Sequence, residues 1–177
     1  MSHSPLFEAI VLTVICDDRP GIVARLSQLI EQHGGNWTES SMSSLAGKFA
    51  GILLARVPTE QSENLIQALH KLDNEGIQIA AQRSTDPAAV GESREFVLEL
   101  LGQDRPGIVH DITAILSSHG VNVLELDSGC ESASMSGETL FRAKARLRVP
   151  AGVSRELLRT DLEKLANELM VDISLQD

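Results

Sequence analysis

The chain has 177 residues, 42 % of them hydrophobic, which is enough for one medium domain or two small ones with a real core. Its net charge of −10 argues against direct binding to nucleic acid, because contacts with phosphates come from Lys and Arg. The first residues lack the features of a signal peptide, and no apolar run reaches the length of a membrane span. The two cysteines do not have the spacing of a metal site, so we expect reduced thiols in a cytoplasmic protein.

The first half of the chain alternates between strand and helix patterns. The apolar run 9–16 has the length and the β-branched residues of a strand. Apolar residues with the spacing of one buried helix face follow it: Ile22, Val23, Leu26, Leu29 and Ile30. Gly34 is expected to end this helix as its C′ residue. The remaining elements are strands over 36–45, 48–57 and 77–82, and a helix over 61–75.

The second half repeats the first. The hexapeptide DRPGIV at 18–23 returns at 104–109, and aligning 12–37 with 98–123 gives ten identities in 26 positions. This self-similarity indicates two copies of one structural unit. The equivalent first helix has its apolar face at Ile108, Val109, Ile112, Ile115 and Leu116, and ends at Gly120. The other elements are strands over 95–102, 121–130, 139–149 and 171–176, and a helix over 154–168 with Leu157, Leu158, Leu162 and Leu165.

Each copy has the order β-α-β-β-α-β, so we predict an α+β protein with two ferredoxin-like domains, antiparallel sheets and helices on one face of each sheet. The domains are expected at 1–83 and 94–177, joined by a polar linker at 84–93. A Ser/Gly-rich stretch at 128–139 is expected to form a hairpin loop. The open sheet edges should be covered by the other copy or by a second chain, and a homodimer is compatible with the sequence.

The repeated Asp-Arg-Pro-Gly turn joins the first strand of each copy to its first helix. Proline fits the first position of a helix, and the glycine after it leaves room for a ligand close to the backbone. Free N–H groups at a helix N-terminus suit a carboxylate or a phosphate. The alternative is a purely structural turn, which explains the repeated Asp and Arg less well.

Other polar residues are also repeated. Asn36 and Asn122 follow the helix C-terminus, so each would complete a site only with a neighbouring copy; the alternative is that each satisfies its own loop backbone. His33 and His119 lie where an imidazolium complements the helix dipole. Cys16 directly precedes the turn and is expected to pack as a small apolar residue. The sequence has no nucleophile elbow, phosphate loop or paired carboxylates, so we expect neither enzymatic activity nor a cofactor or metal.

Taken together, these motifs resemble the ACT domain, a regulatory module that senses small molecules. The resemblance covers 8–83 and 94–176, and it depends on the Arg-Pro-Gly turn after an apolar strand and on the helix that ends in His-Gly-x-Asn. Within that family, the chain is most similar to the stand-alone tandem ACT proteins of the glycine cleavage system transcriptional repressor group.

The resemblance implies that an amino acid, with glycine favoured, binds between the turn of one copy and the Asn region of its neighbour. The ligand-binding residues implied in this way are Asp18, Arg19, Pro20, Gly21, Ile22, Val23 and Asn36, and Asp104, Arg105, Pro106, Gly107, Ile108, Val109 and Asn122. It further implies indirect repression of transcription through binding to a LysR-type activator protein rather than to DNA. The alternative is an amino-acid-sensing regulatory module that acts in trans on a metabolic enzyme.

Overall fold

The computed structural model describes residues 6–84, 92–132 and 139–176. The chain divides into two compact units, Met1–Ala88 and Ala89–Asp177, and each unit has its own hydrophobic core. Most of the expected linker, residues 85–91, lies outside the described residues. So does the middle of the expected hairpin loop, residues 133–138, whereas residues 128–132 belong to a strand rather than to a loop.

The first unit has four strands and two α-helices in the predicted order. In chain order they are β1 (Phe7–Asp17), α1 (Ile22–Gln32), β2 (Asn36–Leu45), β3 (Lys48–Pro58), α2 (Ser62–His70) and β4 (Ile77–Ser84). The second helix is shorter than the predicted span 61–75, because its last part, Lys71–Glu75, winds as a 3₁₀ helix. Gly76 ends that segment with a φ of 77°, a left-handed conformation that glycine adopts without steric cost.

The second unit repeats this order with small differences in length. Its elements are β5 (Ser93–Gln103), α3 (Ile108–Ser118), β6 (Asn122–Ser132), β7 (Thr139–Pro150), α4 (Arg155–Leu169) and β8 (Val171–Gln176). The Ser154 side chain caps the N-terminus of α4 by accepting a hydrogen bond from the Leu157 N–H. No such 3₁₀ segment follows α4, since Met170 closes the helix directly before β8.

Both sheets have the strand order of a ferredoxin-like fold, which confirms the predicted α+β class. The order is β2-β3-β1-β4 in one sheet and β6-β7-β5-β8 in the other, and every neighbouring pair is antiparallel. Every second residue of β1 from Ile10 to Cys16 is buried and shares a core with both helices of its unit. The ends of β1 and β5, where the repeated turns begin, are therefore held by two hydrogen-bonded neighbours each.

The buried stripe of each helix is narrower than the sequence pattern predicted. Val23 and Val109 were expected on the buried faces of α1 and α3, but their side chains are 47 % and 39 % exposed. Leu157 was grouped with the apolar residues of α4, yet it is 62 % exposed. Each of these residues is adjacent in sequence to a buried Ile22, Ile108 or Leu158, and a step of one residue turns a side chain about 100° around the helix.

This difference between neighbours in α4 gives a matched stability test. Leu158→Ala should lower the free energy of unfolding by about 2–5 kcal/mol, because Leu158 is only 1 % exposed and its removal leaves a cavity. Leu157→Ala makes the same chemical change in the same helix turn and should cost less than about 0.5 kcal/mol. Urea denaturation followed by circular dichroism measures both values. Equal losses in the two variants would contradict the assigned helix face.

Candidate functional site

The repeated turn is defined by the backbone conformation of its glycine. Gly21 has φ 95° and ψ −4°, and Gly107 has φ 93° and ψ −9°. These values match the third residue of a type II turn, a position that needs positive φ and commonly follows proline. The prediction that proline is the first helical residue is therefore wrong. Glycine is the N-cap of each helix, and Pro20 and Pro106 lie one residue before it.

Asp18 ties the first turn to the hairpin between β2 and β3. Its backbone N–H donates to the Gly47 carbonyl at 2.9 Å. Its carboxylate Oδ2 accepts a hydrogen bond from the Ser44 hydroxyl at 2.5 Å. Asp17, one residue earlier, forms an ion pair with Lys48 in the same hairpin. The Asp18 side chain therefore positions the loop between β1 and α1.

Arg19 ties the same turn to the segment that precedes β4. Its Nη2 donates to the Glu75 backbone carbonyl at 2.5 Å. Arg25, on α1, approaches the Glu75 carboxylate at 3.0 Å. The hydrogen bond from Arg25 is the main cause that lowers the pKa of the Glu75 carboxyl, and the charges of Arg25 and Arg19 act in the same direction. Two arginines therefore converge on one residue at the end of the 3₁₀ segment.

In the second turn, the Asp N–H and the Arg side chain again donate to backbone carbonyls, but the neighbouring side chains differ from those of the first turn. The Asp104 N–H donates to the Thr139 carbonyl at 3.0 Å, and Arg105 donates to the Glu168 carbonyl at 3.4 Å. Cys130 lies beside Asp104, in the place that Ser44 has beside Asp18. Partial desolvation and then the Asp104 carboxylate raise the pKa of the Cys130 thiol.

The two turns also differ in the charge of the helix that follows. The first turn of α1 carries no acidic residue, whereas α3 carries Asp111 in its first turn. A side chain added at Gly21 would meet nothing within 4 Å, so the space beside the first turn is open. At Gly107 the carboxylate of Asp111 lies 3.8 Å from the same position. The two copies therefore present different surroundings to a ligand.

The remaining turn residues divide between the core and the surface. Ile22 and Ile108 are buried at 4 % and 3 % exposure and anchor the start of each helix. Val23 and Val109 point outward instead, as described above. The side chains of Asp and Arg in each turn have partners within their own unit, whereas the backbone, proline and valine of the turn segments are exposed.

Asn36 and Asn122 lie at the opposite end of the sheet from the turns, as the topology predicted. Asn36 is the first residue of β2 and pairs with Arg56, whereas Asp17 pairs with Lys48 at the far end of β3. Nine residues of β2 span about 30 Å at about 3.3 Å per residue. Both asparagines are exposed, and within the described residues neither side chain has a hydrogen-bond partner. The alternative that each satisfies its own loop is therefore not supported.

The histidines have structural contacts. His33 is the C-cap residue of α1, and its Nδ1 lies 2.7 Å from the Leu29 carbonyl. His119 is the C-cap of α3, and its Nε2 lies 3.1 Å from the Asp161 carboxylate on α4. Hydrogen bonds from Lys164 and then His119 lower the pKa of Asp161. These contacts agree with the expected role of both residues at helix ends.

The two thiols are free and lie in different surroundings. Cys16 is 6 % exposed, belongs to the first core, and burial raises the pKa of its thiol. Cys130 is exposed. In the part of the chain that the structure covers, no cluster of three or more His, Cys, Asp or Glu side chains could hold a metal ion. Among the helices of the same residues, none is both long and apolar enough to cross a membrane.

Comparison with known proteins identifies the unit that is repeated. Residues 8–82 and 96–167 each match a family model of the ACT domain. The chain belongs to the ACT domain family. A solved structure of a protein from Galdieria sulphuraria, described only as unknown, is 32 % identical, with a TM-score of 0.86 over 97 % of this chain and 98 % of that one. A protein provisionally named a glycine cleavage system transcriptional repressor shares the tandem ACT fold at 19 % identity, with a TM-score of 0.68 over 97 % of both chains.

Curated relatives include longer enzymes. Phosphoserine phosphatase SerB2 of Mycobacterium tuberculosis is 23 % identical over 180 residues, which cover 98 % of this chain. The tandem ACT chain spans 42 % of that enzyme's length. It spans 15 % of a bifunctional uridylyltransferase/uridylyl-removing enzyme from Gluconobacter oxydans, which is 27 % identical over 142 residues and 63 % of this chain.

The contact between Arg25 and Glu75 predicts that substitutions of Arg25 and Arg19 change the pKa of Glu75 by different amounts. Arg25→Ala should raise the pKa of the Glu75 carboxyl, because the hydrogen bond from Arg25 is the largest cause that lowers it. Arg19→Ala should raise it less, since Arg19 contributes only through its charge. A lowered pKa in the folded state means that the contact stabilises the fold above the unfolded pKa and is lost as the pH falls through the folded value. Carboxyl ¹³C NMR titration measures both variants, and equal rises would contradict the contact.

The contact between Asp104 and Cys130 predicts a change in thiol reactivity. The thiolate is the reactive form, so a raised pKa slows alkylation. Asp104→Asn should therefore accelerate alkylation of Cys130 by iodoacetamide at pH 8, as measured by mass spectrometry. Asp127→Asn, on the same strand, is the matched control and should leave the rate unchanged. The buried Cys16 should react slowly in every variant, and an unchanged Cys130 rate in Asp104→Asn would contradict the contact.

Proposed function

We propose that this chain is a regulatory protein rather than an enzyme, and that it responds to a small amino acid, with glycine the favoured effector. The observation that carries the proposal is the pair of ACT domains, which together cover most of the chain. The proposed output is repression of transcription through contact with a LysR-type activator protein.

The geometry of the turn supports a ligand role for its backbone. The side chains of Asp18 and Arg19 are held by Ser44 and by the Glu75 carbonyl, so the loop keeps its shape without a ligand. The first N–H groups of α1 have no side-chain cap, and the space at Gly21 is open. Such a helix start favours a carboxylate, which every free amino acid carries.

The asparagines support a second contact for the same ligand. Their side chains are exposed and have no partner among the described residues, and an amide can both donate and accept hydrogen bonds. Because Asn36 lies at the opposite end of the sheet from the turn of its own unit, a complete site needs an ACT copy other than the one that supplies the turn.

The charge of the chain supports action through a protein. With 25 acidic and 15 basic residues, the chain is strongly acidic, so its net negative charge would repel the phosphates of DNA. The basic run of β7, which is the densest in the sequence, is largely neutralised by ion pairs from Lys144 and Arg146 to glutamates of the same sheet. A fold shared with a provisionally named transcriptional repressor agrees with this proposal.

One observation favours a second function. Almost the whole chain, 98 %, matches part of a phosphatase that acts on phosphoserine, a derivative of an amino acid. A region similar to this chain therefore forms part of a longer metabolic enzyme. In this alternative the chain senses an amino acid and regulates an enzyme in trans.

Amino-acid binding is tested by thermal shift with free amino acids, glycine and serine included. A ligand that binds only the folded state at about 100 times its Kd should add roughly 2.7 kcal/mol to the free energy of unfolding. The double variant Asn36→Ala/Asn122→Ala should lose this shift without a change in its own Tm, because both side chains are exposed. Asn64→Ala, an exposed asparagine on α2, is the matched control and should keep it.

Glycine substitutions in the turn are less informative. Gly21 and Gly107 have φ above 90°, so any other residue strains the fold whether or not a ligand is present. Absence of a shift with every amino acid in the unmodified chain would contradict the effector part of the proposal.

The two candidate outputs are distinguished with purified partners. Biolayer interferometry against a purified LysR-type activator of glycine cleavage genes should show binding that glycine changes. Binding to a metabolic enzyme instead, together with a glycine-dependent change in that enzyme's rate, would favour the alternative. A gel shift of the operator DNA by this chain alone would contradict indirect action.

A further inference from the structure

A small apolar cleft, which we call the α3 cleft, lies inside the second unit between α3 and the sheet. Its walls include Leu98, Leu100, Ile112, Leu116, Phe141 and Ala145. The cleft has a volume of about 30 Å³. At about 10–15 Å³ for one water-sized group, it has room for about two or three carbon atoms.

The lining of the α3 cleft offers no polar group to a ligand. Every lining side chain is hydrophobic except Thr113, and none carries a charge. The Thr113 hydroxyl donates to the carbonyls of Val109 and His110, at 2.8 and 3.1 Å, so it is satisfied by its own helix. A water molecule in such a space lacks partners, whereas an apolar group gains contacts on all sides.

The floor of the α3 cleft has less bulk than the same place in the first unit. Ala145 is equivalent to Leu53, because they pair with the equivalent leucines Leu98 and Leu12 of their sheets. Leu53 is 2 % exposed and belongs to the first core. The alanine in the second unit therefore leaves out a branched aliphatic group that the first unit supplies itself.

The bulk that the floor lacks is found at the rim. The residue opposite the floor position is Ser40 in the first sheet and Leu126 in the second. Leu126 lies on the edge strand β6 and is 47 % exposed, so it borders the cleft without filling it. Val123, also on the rim, has the position of Trp37, which packs against the first core.

One end of the α3 cleft reaches the repeated turn. Phe141, in its wall, pairs with Gly102, and Asp104 of the turn follows two residues later. Val109, in the first turn of α3, also forms part of the wall and is 39 % exposed. A ligand whose carboxylate meets the first N–H groups of α3 can therefore extend an apolar group past Val109 into the cleft.

We propose that the α3 cleft is a side-chain pocket and that the second unit takes an aliphatic amino acid of about the size of valine. This inference rests on the proposed function, because it requires an amino acid at the turn. Asp111 is two residues beyond Val109 and so lies about 200° around the helix, on the side away from the cleft. Its carboxylate lies 3.8 Å from the side-chain position of Gly107, where it suits the ammonium group of the same ligand.

The first unit differs at both of these places. Arg25 stands where the second unit has Asp111, and it pairs with the Glu75 carboxylate at 3.0 Å. Leu53 fills the position of the cleft floor. A ligand without a side chain, such as glycine, therefore suits the first unit better than valine does.

The size of the α3 cleft predicts an order of affinities. Glycine places nothing in it, the branched side chain of valine matches it, and the ring of phenylalanine exceeds it. One methylene in a fitted apolar pocket changes affinity by about tenfold or more. Valine should therefore bind the second unit at least about tenfold more tightly than glycine, and phenylalanine should bind it no more tightly than glycine.

The first unit provides the design of the test variant. Ala145→Leu/Leu126→Ser transfers the Leu53–Ser40 pair of the first sheet to the matching positions of the second, which fills the floor and limits overpacking. Ala114→Leu, at an exposed position of α3, adds the same side chain outside the cleft and is the matched control. Thermal melts check that both variants fold.

Isothermal titration calorimetry with the full chain measures the affinities for glycine, valine and phenylalanine. The double variant should bind valine at least about tenfold more weakly than the unmodified chain and glycine with an unchanged Kd. Ala114→Leu should keep both affinities. Equal losses for glycine and valine in the double variant would overturn the proposal, because the effect would then not act through a side-chain pocket.

Methyl NMR of the unmodified chain locates the bound valine. Valine should shift the methyl signals of Leu98, Ile112 and Leu126, and leave those of Leu12 and Leu26, the first-unit counterparts of Leu98 and Ile112, unchanged. Shifts confined to the first unit would overturn the proposal.

The same titrations separate this inference from the proposed function. If glycine binds and valine binds no more tightly, the side-chain pocket is wrong and the proposed function stands. If no amino acid binds, both are wrong.

Discussion

Everything at the proposed site depends on a glycine held in the left-handed conformation directly before a helix. Positive φ at Gly21 and Gly107 allows the chain to leave β1 or β5 and enter a helix within four residues. The proline before each glycine is favoured in the same type II turn. The turn fixes the direction in which the helix crosses the sheet, and hence which residues meet the core. It also leaves the first backbone N–H groups of the helix without a side-chain cap.

The Asp and Arg of the repeated motif hold this turn in place in both copies. The side chains that surround the turn differ between the copies. Arginine reaches a backbone carbonyl at the end of the second helical segment in both units, at Glu75 and at Glu168. Repetition of Asp and Arg is thereby explained by structure, without excluding a ligand at the backbone they hold in place. The surroundings have diverged, because Ser44 corresponds to Cys130 and the Thr13–Ile52 pair of the first sheet corresponds to the Glu99–Lys144 ion pair of the second. Two copies with one scaffold can therefore have separate tasks.

The fold was predictable from the sequence because its determinants are local. Apolar periodicity, the repeated turn and the C′ glycines Gly34 and Gly120 gave the order of elements and most of their bounds. The partners of Asp18 and Arg19 were not predictable, since Ser44 and Glu75 lie 26 and 56 residues further along the chain. Proline was placed two positions too late in the helix pattern, because a type II turn and a helix start share the same Pro-Gly sequence.

The central claim is that the backbone of the left-handed turn, and not the charged side chains beside it, is the part of the ACT unit that meets an amino acid. Amide chemical-shift mapping during a glycine titration tests this most directly. The largest shifts should occur at the backbone amides of Gly21 and Ile22 or of Gly107 and Ile108, while the contact from Arg19 to the Glu75 carbonyl persists. Saturable shifts confined to other parts of the chain, or no shifts at millimolar glycine, would contradict the claim and leave the two turns as scaffold alone.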